Sequence, residues 1–310
     1  MASEKSKILV VGATGYLGRH VVVASTRLGH PTFALVRDMA PSDAAKAALL
    51  KSFQDAGVTL VKGDLYDQAS LVGAVRLADV VISTVGAQQI ADQTRLIDAI
   101  KEAGNVKRFI PSEFGLDADR SDAVEPARST FIITKAAIRR AAERAGVPYT
   151  LVWTGYFFGY GLPGIGQVLA RSPPADKAVV LGGGDTRASF ADEGDIGTYT
   201  VLAAGDPRAA NTTLYVRPPA NTLSHNELLA LWEGKTGGAF ERVYIPEDAV
   251  LKQIQEAPTP RDSILLSIGH AVHVKGEHEF EIDPSSGVDA TELYPGVRYT
   301  TVDDYLNSLL

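Results

Sequence analysis

The chain of 310 residues contains no cysteine, which excludes disulfide bonds, zinc sites with thiolate ligands and a cysteine nucleophile. It has no apolar run that approaches the ~20 residues of a membrane-spanning helix, and its amino-terminal stretch, MASEKSK, lacks the apolar core of a signal peptide. Its net charge is −7 and it carries no basic tract, so we expect neither a nucleic-acid partner nor a membrane partner. Together these absences predict a soluble, cytoplasmic protein.

Two catalytic motifs are also missing. The G-x-S-x-G motif of serine hydrolases does not occur. No tyrosine is followed four residues later by lysine, although conventional short-chain reductases use that pair: the lysine lowers the pKa of the tyrosine, and the tyrosine protonates a carbonyl. No metal site is predicted either. Any reductase chemistry in this chain must therefore use a different proton-transfer group.

The chain does contain an alternation of strand and helix patterns. Short apolar runs predict strands at residues 8–11, 32–36, 58–61, 80–84, 108–111 and 149–153. Amphipathic segments predict helices at residues 16–28, 42–56, 68–76, 89–103 and 129–145. Shorter strands and helices are mixed after residue 153. We therefore predict an α/β fold, with a Rossmann-type doubly wound parallel sheet over residues 1–155 and a smaller mixed α/β substrate lobe, packed back against it, over residues 156–310.

A glycine-rich loop joins the first predicted strand to the first predicted helix. Gly12, Gly15 and Gly18 have the spacing G-x-x-G-x-x-G, which permits a tight turn, close approach of a pyrophosphate and close packing of helix on strand. The free N–H groups at the start of the helix attract phosphate. We interpret the loop as a dinucleotide site rather than a turn without a ligand. Its predicted cofactor-binding residues are Gly12, Ala13, Thr14, Gly15, Tyr16, Leu17 and Gly18.

Arg37 follows the second predicted strand, at the place where a NAD site carries an acidic residue for the ribose. An acid would repel a 2′-phosphate, whereas a guanidinium binds it. Lys46 adds a second positive charge nearby. The two side chains predict NADP (NADPH) as the cofactor, with a solvated surface charge as the alternative for each.

The ends of later strands supply further candidates, because ligands of such sheets lie beyond the carboxyl ends of the strands. The residues predicted to contact the cofactor there are Thr84, Val85, Gly86, Ser112, Glu113 and Phe114, the last three nearer the nicotinamide. An aromatic stretch after the sixth strand includes Tyr156, Phe157 and Tyr160. Its rings are predicted to line a pocket for a flat apolar substrate, to pack the joint between the lobes, or both.

Lys135 is the candidate general base, and it is also predicted to contact the cofactor beside the nicotinamide. In the segment Phe131-Ile-Ile-Thr-Lys135 a phenylalanine occupies the expected place of the conventional tyrosine, and the lysine follows one turn later. Desolvation, Arg139 and the cationic oxidised nicotinamide are expected to depress the pKa of Lys135, so that its amine accepts a proton from a phenol. The alternative is a surface lysine on an amphipathic helix. His270 is a candidate for bonding a substrate hydroxyl, whereas His273 is interpreted as a helix-terminal or surface residue.

Several segments carry a resemblance to a known family. They are GATGYLGRH (12–20), GHPTFALVR (29–37), KRFIPSEFGLD (107–117), AVEPARS (123–129), KAAIRRAAE (135–143), GVPYT (146–150) and IGHAVHVKGEHEFEID (268–283). Over essentially its whole length the chain resembles the plant isoflavone reductase-like proteins, which are atypical short-chain dehydrogenase/reductases of the NmrA-like group. It looks closest to the phenylcoumaran benzylic ether reductases.

The resemblance implies NADPH-dependent reduction of phenylpropanoid dimers, as in lignan biosynthesis. The lysine matching Lys135 would deprotonate a phenol, and expulsion of the benzylic ether oxygen would leave a quinone methide that accepts hydride. Positions matching Arg37, Lys46 and Arg139 would contact NADP, and the histidine matching His270 would lie at the substrate. By analogy a homodimer is expected. The alternatives are pinoresinol–lariciresinol reduction, isoflavone reduction, eugenol synthesis and a non-catalytic NADP-binding sensor.

The sequence departs from the family pattern at two places. The segment between Pro126 and Lys135 is one residue longer than expected, which would shift the base or be absorbed locally. The segment that begins Thr154-Gly-Tyr-Phe-Phe stands where the family usually has an Asn-x-Phe motif. Because this second segment shapes the substrate pocket, the identity of the substrate is the implication that transfers least.

Overall fold

The computed structural model describes residues 5–310, so residues 1–4 of the predicted polar amino-terminal stretch lie outside the described residues. The first half of the chain alternates strands and helices. These are β1 Ile8–Val11, α1 Gly18–Arg27, β2 Thr32–Val36, α2 Ala44–Asp55, β3 Thr59–Lys62, α3 Gln68–Val75, β4 Val80–Ser83, α4 Gln93–Ala103, β5 Arg108–Ile110, α5 Thr134–Ala145 and β6 Thr150–Trp153.

A parallel sheet in the order β3-β2-β1-β4-β5 is the centre of this half. Every residue of β1 is buried, as expected for a strand that has helices on both faces. The strand order reverses at β1, which pairs with β2 on one side and β4 on the other. The crevice beyond the carboxyl ends of β1 and β4 is where such a sheet binds its ligand. The predicted α/β fold with a Rossmann-type sheet is confirmed.

The sixth strand corrects one detail of that prediction. β6 does not continue the five-stranded sheet by a ladder; it pairs with a later strand of residues 212–215 and touches β5 through a single parallel bridge, Phe109 with Tyr149. β5 is three residues long, so it offers little backbone for further pairing. The chain therefore leaves the first sheet at β6 and enters a second one.

The second half of the chain is built from shorter elements. These are β7 Tyr156–Phe157, α6 Phe158–Gly161, β8 Lys177–Leu181, β9 Arg187–Ala191, α7 Glu193–Ala204, β10 Thr212–Tyr215, β11 Thr222–Ser224, α8 His225–Thr236, β12 Glu241–Ile245, α9 Glu247–Gln255, α10 Pro260–Gly269, β13 Gly287–Asp289, α11 Ala290–Leu293 and α12 Val302–Asn307. Small sheets in the orders β13-β10-β6, β11-β9-β7 and β12-β8 connect them. Across residues 5–310, no helix has the length and apolarity needed to cross a bilayer.

The two halves interpenetrate. β6 pairs with β10, and β10 with β13, so strands on both sides of residue 155 share one sheet. Helix α7 packs against α1 so closely that a Cβ atom on Gly197 would lie 2.7 Å from the carbonyl oxygen of His20. The division of the chain at residue 155 stays a prediction, while the packing places the second half directly over the glycine-rich loop.

Candidate active site

The glycine-rich loop is packed backbone to backbone. Gly12 has a φ of +84°, and a Cβ atom on Gly18 would lie 2.1 Å from the carbonyl oxygen of Gly12. The hydroxyl of Thr84 donates to the carbonyl of Val11 at 3.0 Å, which fixes the β4 end beneath the loop. No side chain fits where Gly12 and Gly18 meet, so the chain presents bare backbone at the start of α1, as a phosphate site requires.

Replacing Gly18 with alanine is expected to weaken NADPH binding by about ten- to a hundredfold, because overpacking of this kind costs about 1–3 kcal/mol and displaces the loop. The affinity is measured by titration of NADPH fluorescence. Gly73→Ala is the matched control: Gly73 lies within α3, and its Cβ would meet no atom within 4 Å. That control should leave NADPH affinity unchanged; equal affinities for the two variants would contradict the proposed loop function.

A cavity of about 280 Å³ extends from this loop across the sheet edge. Its walls include most of the residues predicted from the first, second and fourth strand ends: Gly12, Thr14, Gly15, Arg37, Lys46, Thr84, Val85 and Gly86. Ala13 is fully buried, and Gly18 packs on Gly12, so these two shape the loop without lining the cavity. Residues 63–66, which follow the carboxyl end of β3, also line it. Arg37 and Lys46 therefore share one cavity, with the charge that a 2′-phosphate needs.

A second cavity, of about 690 Å³, opens from the same loop and shares Gly15 and the Thr84–Gly86 segment with the first. It takes in the remaining predicted residues Tyr16, Leu17, Ser112, Phe114, Lys135, Tyr156, Phe157 and Tyr160. Phe131 and Phe190 add further aromatic surface. Because the two cavities share a wall, a ligand that fills the first can present one end to the second.

Lys135 is buried at the wall of the second cavity, with 3% of its surface exposed. Its Nζ donates to the carbonyls of Glu113 and Phe114, each at 3.0 Å, and of Leu116 at 3.2 Å. Burial lowers the pKa of Lys135 to about 8; the Glu113 carboxylate opposes that shift and Arg139 adds to it. The three carbonyl oxygens fix the position of the amine but bring no negative charge to it. Burial lowers its pKa into the range of a base that operates near neutral pH.

Arg139 and the Glu113 side chain belong to one buried ionic cluster. Arg139 is 5% exposed, its Nε donates to the buried Glu113 carboxylate, and its Nη1 lies 2.8 Å from Asp117 and 3.0 Å from Asp119. Burial alone would lower the pKa of Arg139, but the Glu113 and Asp117 carboxylates raise it. Three carboxylates surround this guanidinium, and neither Arg139 nor Glu113 lines a cavity. Their contact with NADP stays a prediction, while in this structure both side chains support the 113–116 segment that holds Lys135.

The two histidine interpretations are also corrected. His270 is 3% exposed and its Nε2 lies 3.0 Å from a Glu247 carboxylate oxygen, outside the second cavity. His273 lines that cavity instead, together with His278. Residues 270–274 form a π-helix rather than the end of an α-helix, which alters the side chains that face inward. The histidine nearest the substrate space is therefore not the one that the sequence suggested.

A second π-helix, Arg128–Ile133, leads directly into α5. This turn bonds i to i+5 and so accommodates one more residue than an α-turn. It lies within the segment that the sequence showed to be one residue longer than expected. A π-turn is one way to accommodate such an extra residue, and Lys135 reaches its three carbonyls.

Tyr16 connects the glycine-rich loop to the second half of the chain. Its hydroxyl donates to the Glu193 carboxylate at the start of α7, which also accepts the Gly159 N–H at 3.0 Å. Its ring stacks on Tyr160 with 4.8 Å between centroids. Glu193 carries no motif in the sequence, so this contact could not be found before the fold placed α7 over the loop.

Comparisons with known proteins identify relatives over nearly the whole length of the chain. The model of the NmrA-like family matches residues 4–306. The chain is 73% identical over 311 residues to the isoflavone reductase homolog IRL of Zea mays, with both chains covered completely. It is 58% identical over 309 residues to the phenylcoumaran benzylic ether reductase Pyrc5 of Pyrus communis, covering 99% of this chain and 100% of that one. A solved structure of AtPrR2 with NADP+ and (+)-pinoresinol matches with a TM-score of 0.93 and 37% identity over 99% of this chain and 100% of that chain.

Proposed function

The chain belongs to the NmrA-like family, and on that premise we propose that it is a reductase that cleaves the benzylic ether of phenylcoumaran-type phenylpropanoid dimers. It is an NADPH-dependent oxidoreductase; the bond cleaved and the substrate are the proposal. One observation carries it: buried Lys135 lines the second, aromatic-lined cavity, which shares a wall with the first cavity.

The residues of the first cavity fit NADPH. The close-packed loop leaves no room for a Cβ at Gly12 or Gly18, and Arg37 and Lys46 bring two cations to the same space. These two side chains would hold the 2′-phosphate, and the loop N–H groups the pyrophosphate. When bound, NADPH supplies the hydride of the reaction.

Lys135 would handle the proton. Its neutral amine would accept the proton of a substrate phenol, and the electrons of the resulting phenolate would break the bond between the benzylic carbon and the ether oxygen, which leaves a quinone methide. The ether oxygen stays on the second ring as a phenolate, and the benzylic carbon accepts the hydride, which restores the first phenolate. One phenolate takes back the proton held by Lys135 and the other takes a proton from solvent, so the C–O bond is replaced by a C–H bond and a new phenol. The aromatic walls of Phe131, Tyr156 and Phe157 would hold the two flat rings and exclude water.

A second candidate is the reduction of furofuran lignans. The AtPrR2 neighbour was solved with (+)-pinoresinol, and a cavity of about 690 Å³ has the volume of a typical site for a ligand of that size. The same base would serve, because pinoresinol also has a phenol placed to expel a benzylic ether oxygen. Substrate choice then depends on cavity shape.

A small panel separates these activities. NADPH oxidation and product identity are followed with dehydrodiconiferyl alcohol, with pinoresinol, with an isoflavone and with coniferyl acetate. Opening of the phenylcoumaran ring with the highest kcat/KM supports the proposal. Preferred turnover of pinoresinol would replace it with the second candidate, and preferred turnover of the isoflavone or the ester would overturn both.

The pH dependence follows from the Lys135 amine. Its pKa is about 8, and the protonated form, which predominates below that pH, cannot accept the phenol proton. We therefore expect kcat/KM to rise about tenfold per pH unit up to a pH of about 8 and then to level off. The profile is recorded from about pH 6 to about pH 10 with saturating NADPH. A flat profile over that range would contradict the assignment of Lys135 as the base.

A further inference from the structure

Part of the wall of the second cavity is formed by three aromatic residues that carry uncharged polar atoms. Tyr156, His273 and His278 all line it. The Tyr156 ring stacks on His273 with 5.5 Å between centroids and 19° between planes, and meets His278 edge-on at 5.7 Å. β7 carries the tyrosine, and the π-helix at 270–274 carries the first histidine. The three rings form one cluster that lines the same cavity.

Two polar atoms of this cluster lack partners. Across the described residues, the Tyr156 hydroxyl oxygen and the His273 Nδ1 are both buried and neither has a hydrogen bond. A buried polar group without a partner costs free energy, so native proteins rarely keep two side by side without a purpose. Both residues line a cavity large enough for a two-ring ligand, so a ligand in that cavity could supply the missing partners.

The cluster is electrically neutral. Burial lowers the pKa of both His273 and His278 to about 3 and raises the pKa of the Tyr156 hydroxyl. The Nδ1 of His278 accepts the Ser189 N–H at 3.2 Å, so a neutral His278 ring carries its proton on Nε2 and is a donor there. The group therefore offers uncharged donors and acceptors. An alcohol, which donates and accepts, matches such a set better than a carboxylate or an ammonium does.

Among residues 5–310, no lysine or arginine contributes to the pKa shifts of Tyr156 and His273, which arise from burial and, for His273, from the neighbouring histidines. Lys135 is held by the carbonyls of the 113–116 segment. Arg261 also lines the cavity, but it is exposed, and its charge acts on Tyr160. A carboxylate directed at Tyr156 and His273 would therefore lose its water without gaining a counter-charge.

We propose that Tyr156 and His273 form a polar subsite that binds a second, uncharged hydroxyl of the substrate, distinct from the phenol at Lys135. It rests on the proposed function in so far as the cavity takes a phenolic ligand. The subsite selects phenylpropanoids whose side chain ends in an alcohol over those that end in a hydrocarbon or an acid. It also fixes the orientation of the bound molecule, because the phenol and the alcohol cannot exchange places.

Binding of three inert probes tests the subsite: 4-propylphenol, 4-(3-hydroxypropyl)phenol and 3-(4-hydroxyphenyl)propanoate, each titrated calorimetrically into the protein saturated with NADP+. None contains an ether that can be cleaved, so a failure of the proposed reaction leaves this measurement intact. The wild-type protein should bind the alcohol more tightly than the acid. Tyr156→Phe and His273→Phe should each weaken binding of the alcohol about five- to tenfold, while binding of 4-propylphenol stays equal or tightens.

Tyr199→Phe is the matched control, because the Tyr199 hydroxyl is likewise buried without a partner but lies in the core, away from both cavities. It should leave all three affinities unchanged. Thermal unfolding verifies that each variant is folded, and the two site variants provide independent readings. Equal losses for the alcohol and the hydrocarbon in both variants, tighter binding of the acid, or no measurable binding of the alcohol to wild-type protein would overturn the proposal.

Discussion

Replacing Lys135 with methionine is expected to lower kcat by about two to four orders of magnitude, the usual contribution of a positioned general base. Methionine fills the volume of the buried stem but cannot take a proton. NADPH affinity should stay unchanged, since the first cavity does not include Lys135. Stopped-flow NADPH oxidation with dehydrodiconiferyl alcohol gives the rate, and fluorescence titration gives the NADPH affinity.

Two controls make this result specific. Lys101→Met removes an exposed lysine from the last turn of α4 and should leave both constants as they are. An added primary amine, such as ethylamine, should partly restore turnover in Lys135→Ala, because the shorter side chain leaves the space of the lysine stem empty. Undiminished turnover of Lys135→Met would remove the base from the mechanism, whereas the nucleotide site would remain.

Replacing Arg139 with methionine is expected to reduce the free energy of unfolding by about 3–5 kcal/mol, because breaking a buried ion pair leaves uncompensated charge behind. The Glu113 and Asp117 side chains are 1% and 5% exposed, and both are paired with this guanidinium. Arg140→Met is the matched control on the same helix. Its partners Asp119 and Glu143 are partly exposed, so its loss should be about 1 kcal/mol or less. Urea unfolding gives both values.

A double variant identifies the cause. Adding Glu113→Gln to Arg139→Met removes one of the stranded charges, so it should recover part of the lost stability. Loss from packing alone would not be recovered in this way. If Arg139→Met and Arg140→Met were equally stable, the interpretation of residues 113–139 as a buried ionic support for Lys135 would be wrong.

The nucleotide-binding half of the fold could be predicted from short-range patterns in the sequence. The G-x-x-G-x-x-G loop, the all-apolar β1 and the cation after β2 are short-range patterns with one dominant physical solution. The predicted bounds of the early strands and helices accordingly differ from the observed ones by a few residues. The burial of Lys135 was a weaker inference, since helical periodicity alone also allows a surface lysine among the arginines of α5.

The corrected assignments share a different cause. The contact of Arg139 with NADP was implied by the family resemblance, whereas the three carboxylates that surround it become neighbours only after folding. His270 and His273 were assigned from their place near a predicted helix end, but residues 270–274 adopt the π form. β6 was predicted to belong to the first sheet, because the pattern of a strand does not reveal which neighbouring strand it will pair with.

The hydrogen bond between Tyr16 and Glu193 has a thermodynamic consequence. The same tyrosine belongs to the segment that would cradle the dinucleotide and stacks on Tyr160 in the aromatic wall. A shift of that segment on binding of one ligand therefore moves residues that line the site of the other ligand. The resulting coupling free energy between the two binding events is the same in both directions. We therefore expect the two cavities to behave as one coupled unit, in which a ligand bound in either cavity changes the affinity of the other and so influences the order of binding and release.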